Sequence, residues 1–261
     1  EAKVLDEEIE LLKITGDEAQ RLARMELARY TALAVLMPYS KFLQTAERVS
    51  HDLTRLSSRF ETSFAQVAQR LVSMQDKSAG KKAGLPFFMM EVDVAGTILR
   101  RVGAKGFPIA RFGGNCPKLA VHTSFAAPGE ITAERVITPS GDVYLTICKT
   151  LDGPAASIGQ RPQRTAVLLG LEDEYAKAVL NAGSGNKGGK GAVVFTGEDV
   201  PTRSIAHAQL LPDVSNFPPV PIGSTCRLCE RSDCVSRSAP PITRPLGLDD
   251  LVQGFGAYGL T

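Results

Sequence analysis

Five cysteines stand in the 261-residue sequence, and three of them fall within nine positions: Cys226-Arg-Leu-Cys229-Glu-Arg-Ser-Asp-Cys234. Thiolates separated by two and by four residues can wrap one metal centre, and structural zinc and iron–sulfur centres usually take four Cys or Cys/His ligands. The best fourth candidate is Cys116, in Gly113-Gly114-Asn115-Cys116-Pro117. Glycines there let the backbone bend closely around a centre, and the proline stiffens the turn after the ligand. Cys148 lies inside an expected strand, Tyr144 to Thr150, and reads as a buried free thiol. His122 and His207 are alternative ligands, each more simply read as a satisfied polar residue, and His51 is expected to face solvent from the polar side of a helical stripe. Spacing alone leaves zinc, an iron–sulfur cluster and free thiols all open. Arg227, Arg231 and Arg237 would stabilise negative thiolates nearby, and ordinary surface solvation explains them equally well.

The chain around these residues is that of a globular protein, with 43% hydrophobic and 22% charged residues. Five cysteines are too few for a disulfide scaffold in so long a chain. Thirty basic against 28 acidic residues give a net charge of +2, without the basic excess of a nucleic-acid-binding surface. No apolar run reaches the 18 residues of a membrane span; Leu27 to Met37 reads as a buried helix. The sequence starts at Glu1 with neither initiator Met nor signal peptide, which leads us to expect a piece of a longer cytoplasmic polypeptide.

Glycine and proline divide the chain, because residues 1–85 hold one Pro and three Gly of the 16 and 24 present. Upstream, Thr15-Gly16-Asp17-Glu18 has the form of a capping box, and the helix it opens runs until Pro38. Phe42, Ala46, Val49, Leu53, Leu56 and Phe60 then fall on one helical stripe, and Ser63 to Gln66 offers a second capping box. Downstream, Phe87 to Val94 and Thr97 to Val102 read as one hairpin, and Ile131 to Ile137 and Val143 to Leu151 as another. A further strand, Ala166 to Leu171, leads into a helix from Glu172 to Leu180. The expectation is an α+β fold: a helical bundle over residues 1–82, then an antiparallel sheet domain of about five strands over 83–261, similar to GAF or PAS sensor folds. Residues 182–191 read as a flexible loop; Gly185 to Lys190 approach a phosphate-binding spacing, but Gly191 stands where the hydroxyl residue belongs.

Six motifs occur in an order that resembles bacterial short-chain fatty acyl transcriptional regulators, the regulators of propionate metabolism and the glyoxylate bypass. They are Ala34-Val-Leu-Met37-Pro38-Tyr39, Phe60-x-x-Ser63-x-x-x-Val67-x-x-Arg70-Leu71, Val92-Asp93-x-Ala95-Gly96, Gly113-Gly-Asn-Cys116-Pro117, Val121-His122-x-x-Phe125 and Cys226-x-x-Cys229-Glu-Arg-x-Asp-Cys234. The resemblance covers about residues 15–245. It implies a helix-turn-helix DNA-binding domain upstream of this chain, a degenerate zincin-like helical region and a C-terminal cysteine-motif domain. It further implies a sensor that binds acyl-coenzyme A and carries a four-iron four-sulfur cluster on Cys116, Cys226, Cys229 and Cys234. Tyr39, with Tyr30 and Met37, would line the coenzyme A site, and a homo-oligomer without catalytic activity is expected.

The sequence departs from the family pattern at Lys118-Leu119, where Leu-Trp is common, at Leu171, where a Cys is common, and in the glycine-rich insertion near Gly188. The helical segment is also similar to zincin-type metallopeptidases, with Glu26 where a third zinc ligand would stand; no His precedes His51, so the His-Glu-x-x-His half is missing. Two rival readings follow: a metallopeptidase fragment, and a zinc-stapled interaction domain.

Overall fold

The computed structural model describes residues 2–75, 83–103, 106–110, 114–154, 157–161, 163–180, 218–232 and 234–243. The glycine-rich segment 182–191, His207, Gly113 and the expected domain boundary at 82 lie outside the described residues. Five helices come first: α1 (Ala2–Leu11), α2 (Asp17–Leu36), α3 (Tyr39–Arg48), α4 (Leu53–Phe60) and α5 (Phe64–Val72). There follow β1 (Phe88–Asp93), β2 (Ile98–Val102), α6 (Ala120–Thr123), β3 (Ile131–Ile137), β4 (Val143–Asp152), β5 (Arg164–Glu172), α7 (Asp173–Leu180) and β6 (Val220–Pro221).

The strands form one sheet in the order β2-β1-β5-β4-β3-β6. Both expected hairpins form, with Ile98 to Val102 antiparallel to β1 and all seven residues of β3 paired to β4. The sheet is nevertheless mixed and six-stranded, which corrects the expectation of an antiparallel sheet of about five. The tail returns beside β3 in the same direction and pairs Val136 with Val220 and Ile137 with Pro221. Two residues carry no strand periodicity, and a proline is tolerated there because β6 is an edge strand.

Side chains alternate across a strand, so each strand divides its apolar residues between two faces. Met89, Leu145, Ile147, Val167, Leu169 and Leu171 pack with Phe42, Leu53, Leu56, Val67 and Leu71 of the helices in one core. From the other face Phe88, Met90, Tyr144, Cys148, Ala166 and Leu168 pack with Cys116, Leu119, Val121 and Ile222. Residues on both sides of position 82 therefore share the first core. Gly170 in β5 lies under the Phe88 ring, whose atoms would sit 2.3 to 2.8 Å from an added Cβ.

Two features of the helical half differ from expectation. The first capping box does not form: α2 starts at Asp17 after Gly16 (φ +96°), and Asp17 and Glu18 answer the helix dipole from its first turn instead. The second box forms in full, between Ser63 and Gln66. The long apolar stripe belongs to two helices, because Ser50 and His51 both adopt left-handed backbone conformations (φ +63° and +61°). Asp52 then caps α4 by accepting the Arg55 N–H at 3.0 Å. This turn carries His51 inward, where it is 5% exposed and its ring lies 5.7 Å from that of Phe87. The expected solvent-facing histidine is thus a core residue, and burial lowers its pKa to about 4.

Two outcomes follow. Gly170→Ala forces a methyl into the Phe88 ring and should lower unfolding free energy by about 1–3 kcal/mol in urea titration. For His51, the unfolded chain binds a proton between pH 6.5 and about 4 that the folded chain does not. Its contribution to stability is therefore complete above pH 6.5 and falls away, by roughly 3 kcal/mol, as pH is lowered through that window. His51→Asn, which tolerates the left-handed backbone, should flatten the pH dependence of urea midpoints over the same range.

Candidate metal centre

The second face of the sheet carries the cysteines. Asn115, itself buried, accepts the Ala110 N–H at Oδ1 (3.2 Å) and reaches the Met90 sulfur at 3.5 Å, which fixes the preceding loop to β1. Cys116 follows, and its carbonyl accepts the Leu119 N–H at 3.1 Å in the turn that leads to α6. On the other side, Ile222 after β6 donates to the Ile137 carbonyl at 2.9 Å, and a single 3-10 turn, Cys226–Leu228, opens the cysteine motif. Cys116, Cys226, Cys229 and Cys234 line one cavity, shared with Lys118, Gly223, Arg231 and Arg237. Positions 110 residues apart in the sequence are thus brought together, and all the cysteines are free. Cys148 is fully buried in β4, away from that cavity, as the reading of a buried free thiol expected.

Thiols that close affect one another. Burial pushes the Cys116 pKa up, backbone N–H groups of Gly223 and Lys118 pull it back, and Cys226 and Cys234 push it up further. Gly223 is required by a close approach: an added Cβ would lie 2.8 Å from the Cys229 sulfur. Among the described residues no three His, Cys, Asp or Glu side chains are drawn together tightly enough to grip a single ion. The four thiols line a cavity whose free space is about 10 Å³, room for one water-sized body.

Positive charge is built into the walls. Arg231 donates from Nε to the Ile222 carbonyl (2.9 Å) and from Nη2 to the Ile137 carbonyl (3.1 Å), which ties the motif to the end of β3. Arg237 is 3% exposed and donates from Nη1 to the carbonyls of Cys226 and Cys229, both at 3.1 Å, and from Nη2 to that of Arg231. Its Nε is buried without a hydrogen-bond partner among the described residues. Arg227, by contrast, is exposed. Surface solvation therefore accounts for Arg227 and fails for Arg237. Four thiols, a glycine cradle and cationic walls without a lining carboxylate among the described residues have the chemistry that a thiolate-ligated centre would need.

The helical residues expected near a ligand lie on the far side of the sheet. Tyr30 is exposed, and the buried Arg70 guanidinium sits 5.6 Å from its ring centre. Arg70 also donates from Nε to the Met37 carbonyl at 2.9 Å, and Tyr39 donates its hydroxyl to the Met74 carbonyl at 3.3 Å. Met37 is wholly buried, so its side chain belongs to the core and only its carbonyl takes part in this junction. Sequence reasoning passed over Arg70 and treated it as motif spacing. Its position three residues after Val67, on the apolar side of α5, was the available signal. Glu26 is engaged by Arg29 and Arg100. His122 has a buried Nε2 without a partner, and an added Cβ at Gly96 would lie 3.2 Å from its Cε1; it does not line the thiol cavity.

The five thiols should separate by reactivity. Reduced, metal-stripped native protein treated with iodoacetamide should be alkylated first at half-buried Cys234 and at least about tenfold more slowly at Cys148, whose pKa burial raises well above its ordinary value. Denaturation should abolish that order; peptide mapping reads it directly.

Comparison with known proteins places these features in a family. Residues 77–200 and 182–258 match the short-chain fatty acyl coenzyme A regulator, C-terminal, family, and residues 3–72 match the IrrE N-terminal-like domain. The chain is 35% identical to the propionyl-CoA carboxylase regulator of Cereibacter sphaeroides, over 98% of this chain and 49% of that protein. It is 34% identical to the HTH-type transcriptional regulator RamB and 31% to PrpR of Mycobacterium tuberculosis, over 91% and 94% of this chain and 44% of each relative. It thus spans about half the length of these relatives, which are transcriptional regulators and not enzymes. A solved Mycobacterium tuberculosis transcriptional regulator superposes with a TM-score of 0.78 at 27% identity, covering 99% of this chain and 69% of that one. No helix among the described residues is long and apolar enough to cross a membrane. On the match to most of its length, the chain belongs to the short-chain fatty acyl coenzyme A regulator family.

Proposed function

We propose that the chain is the effector portion of a cytoplasmic regulator that binds a short-chain acyl-coenzyme A and a four-iron four-sulfur cluster, to control genes of fatty acid and propionate metabolism. The observation that carries this reading is the gathering of Cys116, Cys226, Cys229 and Cys234 around one cavity from two distant segments. Four lining thiols are a donor set that zinc and an iron–sulfur cluster both accept; the cluster is preferred on the motif resemblance.

In this reading the sheet half is a GAF- or PAS-like sensor, and the acyl-coenzyme A sits on the helical half, where the carbonyl-bound Arg70 lies against Tyr30 and Tyr39 is anchored on the Met74 carbonyl. The open pocket of about 670 Å³ beside α7 is a poor alternative for a polyphosphate ligand, because Asp142, Glu172, Asp173 and Glu174 line it. DNA is contacted by a helix-turn-helix of the kind for which the relatives are named, in a homo-oligomer suited to two-fold sites. The thioester alters DNA affinity by binding one conformation of the regulator more tightly than the other. The cluster supplies a rigid tie between tail and sheet and, if reducible, a redox input.

Anaerobic purification tests the reading through the visible spectrum and through iron, sulfide and zinc analysis, before and after Cys229→Ser. Brown protein with about four irons per chain, lost in the variant, and saturable binding of propionyl-coenzyme A by calorimetry are expected. Colourless protein with stoichiometric zinc indicates the zinc-stapled interaction domain. Metal that survives Cys229→Ser overturns the four-thiol assignment.

A further inference from the structure

Two guanidinium groups border the thiol cavity, and neither has a carboxylate partner among the described residues; every acceptor of Arg231 and Arg237 is a backbone carbonyl. Arginine does not deprotonate in proteins, and an uncompensated buried charge is strongly destabilising. Neutral thiols do nothing to offset it. Four thiolates around a doubly charged cationic core leave two net negative charges, and Lys118, Arg231 and Arg237 stand in the walls as three positive ones. The walls of the cavity are thus opposite in sign to an occupied, anionic site.

Between the two, Arg237 is the more constrained. Its two Nη atoms gather the carbonyls of Cys226, Cys229 and Arg231, so one side chain sets the curvature of the loop that presents three of the four thiols. Ser238, its neighbour, donates its backbone N–H to the Cys226 sulfur at 3.5 Å, and their Oγ and Sγ atoms lie 3.4 Å apart. After its three bonds to carbonyls Arg237 still holds, among the described residues, an unused Nε–H and a full charge inside the cavity wall. Scaffolding alone leaves that remainder unexplained; an anionic neighbour accounts for it.

Resting on the cluster reading above, we propose that Arg237 is the positioning and charge-balancing residue of the thiolate centre. Its fork holds the loop closed on the cluster, and its charge favours the more negative, one-electron-reduced form. Arg237→Gln should remove both effects. Arg237→Lys should keep the charge and lose the fork.

The test uses wild type, both variants and Cys229→Ser, each loaded anaerobically with iron and sulfide and checked for folding by circular dichroism. Two quantities are read: the rate at which an iron chelator bleaches the visible band, and the midpoint of a dithionite titration. Arg237→Gln should bleach at least about tenfold faster and shift the one-electron equilibrium about tenfold toward the oxidised form, equivalent to 59 mV. Arg237→Lys should bleach fast yet keep a midpoint within about twofold of wild type in equilibrium constant, the charge being retained. Variants that match wild type in both readouts overturn the proposal while the cluster reading stands. Equal midpoint shifts in both variants overturn its charge-balancing part. Should Arg237→Gln fail to fold, the split between bleaching rate and midpoint in Arg237→Lys decides alone. Wild type that takes up no iron overturns the cluster reading, and this inference with it.

Discussion

Strands β1, β4 and β5 are buried on both faces, and a sheet of that kind requires two covering layers. The rest of the architecture answers that requirement. Helices α3 to α5 cover one face with Phe42, Leu53, Leu56 and Val67, while α6, the Cys116 loop and Ile222 cover the other. Neither covering layer is an appendage, since each supplies one side of a shared core. The proposed ligand region among the helices and the thiol cavity therefore stand on opposite faces of the same strands. A shift of either layer is felt through side chains that alternate along β4 and β5, close-packed at the density typical of protein interiors.

The second layer is built from irregular backbone, and its polar groups are satisfied by side chains that normally live on surfaces. Asn115 holds the Cys116 loop, and Arg231 and Arg237 hold the tail. These loops bury Leu119 and Ile222 in the core yet have no regular ladder for their backbone groups. Their shape depends on charge-assisted hydrogen bonds to carbonyls, individually stronger than neutral ones, and that dependence concentrates positive charge where the thiols gather.

Much of this was legible from local pattern. Both hairpins follow from alternating apolar runs around Ala95-Gly96 and Pro139 to Asp142, and the Ser63 capping box from two residues at the required offset. The cysteines were legible as ligand types; Cys116 joined them by its glycine and proline neighbours and by resemblance, not by proximity in sequence. What escaped was set by tertiary context. Val49 to Leu53 continues an apolar stripe perfectly well, yet the chain turns at Ser50 and His51, both in left-handed backbone conformations that a pattern of apolar residues does not register. His51 and Arg237 looked like solvent residues by type, and both are buried. Strand β6 has two residues, too few for any periodicity.

The parallel pairing of β6 has a consequence for the order of assembly. Cys116 and Cys226 meet only after a segment of 110 positions has been closed, and closure entropy must be met before any contact there is gained. β3, the strand on which β6 docks, is paired to β4 along its whole length. The thiol cavity thus joins segments that only the completed sheet edge brings together. A centre built there would lock the tail to the sheet edge, so that its occupancy would report both segments in place.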